Sequence, residues 1–258
     1  MFATHKPMAE DIFDCKILEF ETLESTNLYA VENWRQQKWC EGSIVWAKQQ
    51  TAGVGQSGNS WSSEVGKNLT FSIVLNPTFL SVAQQFELHK VLSVAVWQTI
   101  HELSPSLDVK IKWPNDVYIG NKKVCGILVN NLVSNNCYQL AVAGVGLNVN
   151  QTSFDKNLPN PTSLKLECQT NFELRPLLLK IAKNILSWYN YLKHNDLKTI
   201  NDTYFSQMLN FGVQKKYRYQ QNTIEATITG VDKFGRLQLQ TTDNKQLTCD
   251  IKEIAYIF

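Results

Sequence analysis

Between Leu174 and Leu192 the residues Leu174, Leu177, Leu178, Ile181, Ile185, Trp188 and Leu192 recur at helical spacing. Past about Gly212 that rhythm gives way to short β-like segments. A chain with such a switch must cover two kinds of surface: the apolar stripe of a long helix, and strands too short for anything larger than a small barrel. The segments are Lys215 to Tyr219, Thr223 to Val231, Leu237 to Gln240 and Gln246 to Cys249, with turns at Phe234-Gly235 and Asp243-Asn244. Ahead of the helix, Thr170 and Glu173 form a capping-box pattern and Pro176 suits the first turn.

Upstream, Lys16 to Phe20 reads as a strand, followed by a helix capped at Ser25 or Thr26 whose shared face holds Leu28, Val31 and Trp34. Ile44 to Ala47 and Leu69 to Leu75 are further strands, and Ala83 to Leu103 is a helix covered on more than one side. Val109, Ile111 and Trp113 alternate with lysines up to Pro114; Val117 to Ile119 and Lys123 to Asn130 form a hairpin about Gly120-Asn121, and Tyr138 to Val145 continues the sheet. The expected fold is α+β: a mixed sheet backed by helices over residues 1–211, then a small SH3-like β-barrel over 212–258.

The formal net charge of +2, from 25 basic and 23 acidic residues without long runs, leaves no electrostatic footprint for nucleic acid. Met1 to Asp14 lacks an apolar run of signal-peptide length and no later segment reaches the length of a membrane span, so cytoplasmic residence is the expectation. The six cysteines are scattered with no metal-ligand spacing and read as reduced thiols, and the four histidines form no catalytic or metal pattern.

Chemistry concentrates in three places. Gly53-Val54-Gly55-Gln56-Ser57-Gly58 matches the dinucleotide fingerprint G-x-G-x-x-G, but the residues after it are poor helix formers, which argues against a nicotinamide or flavin enzyme. Such a loop can instead bring backbone N–H groups onto an anion, or be a plain surface loop. Lys112-Trp113-Pro114-Asn115-Asp116 packs a cation, an aromatic plane and a carboxylate into a strand end, or is a turn capped by Asp116. Gly144 to Asn150 sets two glycines before Asn148, whose amide can face an adenine edge or simply brace a turn.

Taken together, Glu24-Ser25-Thr26-Asn27, Ala47 to Gly58 leading to Trp61, Gly66 to Leu69 with Ser72, Lys112 to Asp116, Lys123 to Leu128, and Gly144 to Asn148 resemble the biotin-protein ligase family in order and spacing. The resemblance implies an ATP- and Mg2+-dependent enzyme that makes biotinyl-5'-AMP and passes biotin to a lysine of a carrier protein or domain. It implies biotin contacts at Ser25, Thr26, Asn27, Gln50, Gly53, Gly55, Gln56, Trp61 and Gly126. It implies nucleotide contacts at Gly55, Gln56, Lys112, Asn115, Asp116, Lys123 and Asn148, with Lys123 catalytic; no metal ligands are assigned.

The chain departs from the family pattern. Arginines common in the glycine loop are Val54 and Gln56 here, and the acidic residue common after the Gly-Ile-Leu strand is Asn130. The 24 residues before Ser25 imply the short form, without the DNA-binding domain of some relatives. A homodimer through an exposed strand edge is open. Two rival readings stand beside the ligase: a lipoate- or octanoate-transferring enzyme of the same fold, and a non-catalytic biotin or adenylate binder.

Overall fold

In the N-terminal strands, β-branched and aromatic side chains alternate between two buried faces, and that alternation requires a layer on each side of a sheet. The structure is a computed structural model describing residues 15–37 and 39–258, with only the backbone at Ser57; the reading of Met1 to Asp14 lies outside the described residues. Ile17–Leu23 (β1), Ile44–Gln50 (β2) and Leu69–Leu75 (β3) send Ile17, Ile44, Trp46, Phe71 and Ile73 into the main core. Leu18, Val45, Ala47 and Val74 enter a second core on the other face. Val109–Lys112 (β4), Asp116–Ile119 (β5), Lys122–Ser134 (β6) and Cys137–Leu147 (β7) complete a seven-stranded sheet of order β1-β2-β3-β7-β6-β5-β4. β1 and β2 run parallel and the other neighbours antiparallel.

The helices are Thr26–Glu32 (α1), Trp34–Gln37 (α2), Gln85–Leu103 (α3), Leu164–Cys168 (α4), Leu174–Lys193 (α5) and Leu197–Ser206 (α6). α3 and α5 cover the main core, whereas α1 packs against β2, β3 and β7. α5 buries Leu177, Leu178, Ile181, Ile185 and Leu192, as its spacing predicts. Each such side chain contributes about 1.5–3 kcal/mol of burial. Its start differs from the expectation: Glu173 is the N-cap and makes no side-chain cap bond, so Thr170 and Glu173 do not form a capping box.

α1 also departs from its apolar pattern. Ser25 caps it, accepting from the Leu28 N–H at 3.4 Å, but Thr26, Asn27 and Ala30 are the buried residues while Leu28 is 43% exposed. Its inward face is polar because it meets a cavity rather than a dry core. The sequence pattern also missed α6 and the extension of β6 and β7 into a long hairpin, which turns at Asn135 and Asn136 in left-handed backbone (φ 51° and 58°).

The C-terminal unit is Gln214–Tyr219 (β8), Asn222–Val231 (β9), Leu237–Thr241 (β10), Gln246–Cys249 (β11) and Ile254–Tyr256 (β12), an antiparallel sheet of order β11-β10-β9-β8-β12. Its interior residues Tyr217, Ala226, Ile228, Leu237, Leu239 and Cys249 share one cluster with Phe86, Ile111, Trp113, Tyr204 and Met208. At the junction Gly235 has φ +89°, and a Cβ there would lie 2.5 Å from Phe86. Both the turn and the close approach require glycine. The chain after α6 lies along the outer edge of β4, Ile111 N–H donating to Gln207 O (2.9 Å) and Leu209 N–H to Ile111 O (2.8 Å). One edge of the sheet is thereby covered. Among the described residues, no helix is long and apolar enough to cross a membrane.

Candidate active site

Glycines in the middle of strands mark places where something approaches the backbone closely. Gly126 of β6 and Gly146 of β7 are register partners, and the indole of Trp61 lies on both: a Cβ would sit 3.1 Å from the ring at Gly126 and 2.4 Å at Gly146. A Cβ on Gly144 would lie 2.8 Å from the Asn27 amide nitrogen. These glycines make a flat floor between α1 and the loop 51–61. Above it is a cavity of about 140 Å3 lined by Ser25, Thr26, Asn27, Gln50, Val54, Gly55, Gln56, Trp61, Asp116, Lys123 and Gly126 among others. Apart from Val54, these are all residues expected at the site.

The polar side of the cavity is tightly specified. Gln50 Oε1 accepts from the Thr26 N–H (2.8 Å) and hydroxyl (3.1 Å), and the Thr26 and Ser72 hydroxyls are 2.9 Å apart. Asn27 donates its amide to Val142 O (3.2 Å) and accepts on Oδ1 from the Asn130 amide (2.7 Å). Because Val142 O can only accept, Asn27 Oδ1 must face Asn130, and residue 130 must donate. Asn130, where the family resemblance led to the expectation of an acid, is thus keyed to Asn27. The indole N–H of Trp61 is buried without a hydrogen-bond partner, leaving a donor available to a ligand acceptor.

The glycine loop is no helix start. Gly55 N–H donates to Asn59 O (2.6 Å), Trp61 N–H to Gly53 O (2.8 Å), and Val54 bridges to Ser60, folding residues 53–61 into a tight excursion with a single 3-10 turn at Gln56–Gly58. This removes the dinucleotide-fingerprint reading. Gly53 is buried rather than on the cavity wall, and a Cβ there would meet the Trp61 carbonyl at 2.3 Å.

Lys123 Nζ pairs with Asp116 Oδ1 at 2.7 Å. Its backbone is fixed from outside the sheet, its N–H donating to Asn160 O (2.7 Å) and its carbonyl accepting from Thr162 N–H (2.9 Å). Lys123 also reaches a second cavity of about 330 Å3, shared with Asn59, Ser60, Trp61, Asn148, Phe154 and Leu158. Lys112 lines neither cavity: burial and the neighbouring Lys123 charge lower its pKa, opposed by Asp116.

Two of the expected contacts are braces in this structure. Asn115 is 2% exposed and gives its amide to Ile127 O, tying the start of β5 to β6. Asn148 lines the second cavity, but its amide nitrogen donates to Thr162 O (2.9 Å), so that donor already holds the 160–163 segment. The pattern did not assign Gly144 and Gly146 to the cavity wall, nor Tyr204 to the strand end it braces, its hydroxyl donating to Pro114 O (3.1 Å). Glycines inside strands were the available signal for the first group; Tyr204 gave none.

Residues 19–148 match the model of the biotin/lipoate A/B protein ligase family. The chain is 30% identical over 210 residues to the bifunctional ligase/repressor BirA of Bacillus subtilis, covering 79% of this chain and 63% of that protein. To the biotin–protein ligase of Homo sapiens it is 27% identical over 222 residues, 80% of this chain and 29% of that one. The chain therefore spans less than two thirds of the length of these relatives. The biotin protein ligase of Aquifex aeolicus in complex with biotin and ATP superposes with a TM-score of 0.76 at 25% identity, covering 93% of this chain and 97% of that one. With the family model matched from β1 through the glycine floor to Asn148, and the same fold around it, this chain belongs to the biotin/lipoate A/B protein ligase family.

Proposed function

We propose that the protein is an ATP-dependent biotin–protein ligase that forms biotinyl-5'-AMP and transfers biotin to a carrier lysine. The observation that carries this reading is the place of Lys123, on the wall common to the glycine-floored cavity and the second cavity. A ligand carboxylate from one side and an α-phosphate from the other would meet at its ammonium. Two anions cannot approach without a cation between them, and a fixed one stabilises charge developing at phosphorus.

In this reading biotin lies in the glycine-floored cavity against Gly144 and the indole of Trp61, with its ureido group at Thr26 and Gln50. Ser25, as the cap of α1, and Asn27, tied to Asn130, hold the rear wall; Gly53, Gly55 and Gln56 shape the loop over it. The carboxylate oxygen attacks the α-phosphate, the bond to the β-phosphate breaks and pyrophosphate leaves. A carrier lysine, as the free amine, then attacks the acyl carbon, and AMP departs with the acyl bond's electron pair. Lys123, Lys112 and the loop backbone hold the phosphates, Asn115 and Asn148 support that side structurally, and Asp116 holds Lys123 before substrate arrives.

The acidic groups fit magnesium that arrives with nucleotide: Asp116 is the carboxylate at the cavity, and no cluster of three or more metal-ligating side chains exists among the described residues. Bound Mg2+ would neutralise charge on the pyrophosphate leaving group. We further assign residues 1–211 to catalysis and 212–258 to the accessory barrel, a cytoplasmic setting where ATP is available, and a biotin carboxyl carrier protein or domain as partner. The outer strand β1 offers an edge for a homodimer. A near-neutral charge supports neither nucleic acid nor membrane as a target.

The hydroxyl of Thr26 and the amide of Gln50 favour the ureido ring of biotin over the dithiolane of lipoate. A specific feature favours a second reading, a non-catalytic binder: Val54, 52% exposed on the loop, brings no donor to the phosphates. The test is pyrophosphate release with ATP, Mg2+ and biotin beside a lipoate control, followed by streptavidin detection of an added carrier domain. Biotin-dependent release with labelling supports the ligase. Binding without release supports the binder, and response to lipoate alone refutes both.

A further inference from the structure

Lys112 ends β4 directly across from Asp116, the position in which a cross-strand ion pair would be expected. The pair is not made, because Asp116 gives its carboxylate to Lys123. Among the described residues the Lys112 ammonium has no hydrogen bond or ion pair. It sits instead over two aromatic rings, 5.4 Å from the centroid of Tyr118 in β5 and 5.0 Å from that of Tyr256 in β12. Phe258 completes the wall, stacked on Tyr118 at 5.6 Å and lying 6.3 Å from Tyr256. Two of the three rings come from the C-terminal unit.

A half-buried ammonium without an anion is costly unless something compensates it. An aromatic face does so without cancelling the charge, since the ring quadrupole attracts the cation but brings no counter-ion to be displaced. A carboxylate in the same place would hold Lys112 more firmly and would have to be broken from it before a phosphate could bind. The two lysines flanking Asp116 are thus held differently, Lys123 paired with its carboxylate and Lys112 over two ring faces.

On the proposed ligase reading, we propose that Tyr256 is a positioning residue that, with Tyr118, holds the Lys112 ammonium charged and unpaired for the triphosphate of incoming ATP. The C-terminal unit thereby sets nucleotide affinity through one side chain of the larger body, while the biotin cavity, to which neither ring contributes, is left alone.

The experiment is calorimetric titration of the biotin-saturated full chain with α,β-methylene-ATP, whose bridging carbon blocks loss of pyrophosphate. Y256L is expected to weaken nucleotide binding roughly ten-fold, with biotin affinity unchanged. Y256F, which keeps the ring, should recover most of that loss. In a K112M background Y256L should have no further effect, because the residue through which Tyr256 acts is gone. Y118L, which leaves the C-terminal unit untouched, should reproduce Y256L and so exclude misfolding of that unit as the cause. An equal loss in the K112M background, or no loss from Y256L, overturns the proposal. A wild-type protein that binds biotin but not the analogue overturns the ligase reading, and this inference with it, before any variant is made.

Discussion

Replacing Gly146 with alanine places a methyl carbon 2.4 Å from Trp61 Cε2 and 2.7 Å from Cδ2 and Cζ2. Carbon atoms in contact sit about 3.5–4.0 Å apart, so the indole must retreat by more than about 1 Å. The backbone at Gly146 is ordinary strand, so no conformational penalty is added. Overpacking of this kind costs about 1–3 kcal/mol. Because Trp61 belongs to the loop over the cavity and not to the core, the cost should fall on ligand geometry: a rise in biotin Kd of roughly five- to 150-fold, with little change in Tm. Gly126 supplies the internal standard, since its methyl would lie 3.1 Å from Trp61 Cζ3 and needs a shift of only a few tenths of an ångström. The assay is biotin titration of G146A and G126A beside thermal unfolding. Wild-type affinity in G146A, or a larger loss in G126A, would show that Trp61 does not form a wall against bound ligand.

Lys123→Met should lower biotin-dependent pyrophosphate release by at least about 100-fold, while circular dichroism and unfolding show a native fold; retained turnover refutes its role. Asn130→Asp turns the donor facing Asn27 into an acceptor, so biotin binding should weaken roughly ten-fold at neutral pH and recover in acid as the new carboxyl protonates. A pH-independent loss would contradict the assigned amide orientation. His89, packed against Phe86, is held down to about 4 by burial. Its stabilising contribution is complete above the unfolded value of about 6.5 and is lost as pH falls through about 4, by up to about 3 kcal/mol. His89→Gln should flatten acid unfolding over that window, and an unchanged profile would place the acid lability elsewhere.

What the sequence disclosed divides along physical lines. The strands of the large sheet, α3 and α5 were readable because their side chains alternate or recur with the period of the element that buries them. α1 misled because its buried face carries Thr26 and Asn27, and periodicity counts apolar residues without knowing that a cavity lies beneath. Lys112 and Asp116 were legible as one charged strand end and Lys123 joined them only through the family resemblance, but the pattern did not tell which lysine the carboxylate takes. The same residue type can bind or brace, and only the partner decides: Asn115 and Asn148 both spend their amide nitrogens on backbone carbonyls. Tyr204 and Tyr256 lie about 90 and 140 residues from the strand end they serve, a separation no local pattern reports.

Trp113 donates its indole N–H to Gly235 O (2.9 Å) and, with Ile111 and Phe86, forms one wall of the C-terminal unit's interior. Neither body has an inner surface of its own at that junction. A fragment cut at the end of α6 would carry a raw greasy patch of Phe86, Ile111 and Trp113, together with a stripped strand edge along β4. Such a fragment should clump in solution rather than persist as a smaller enzyme, and in thermal melting the intact chain should come apart in one step.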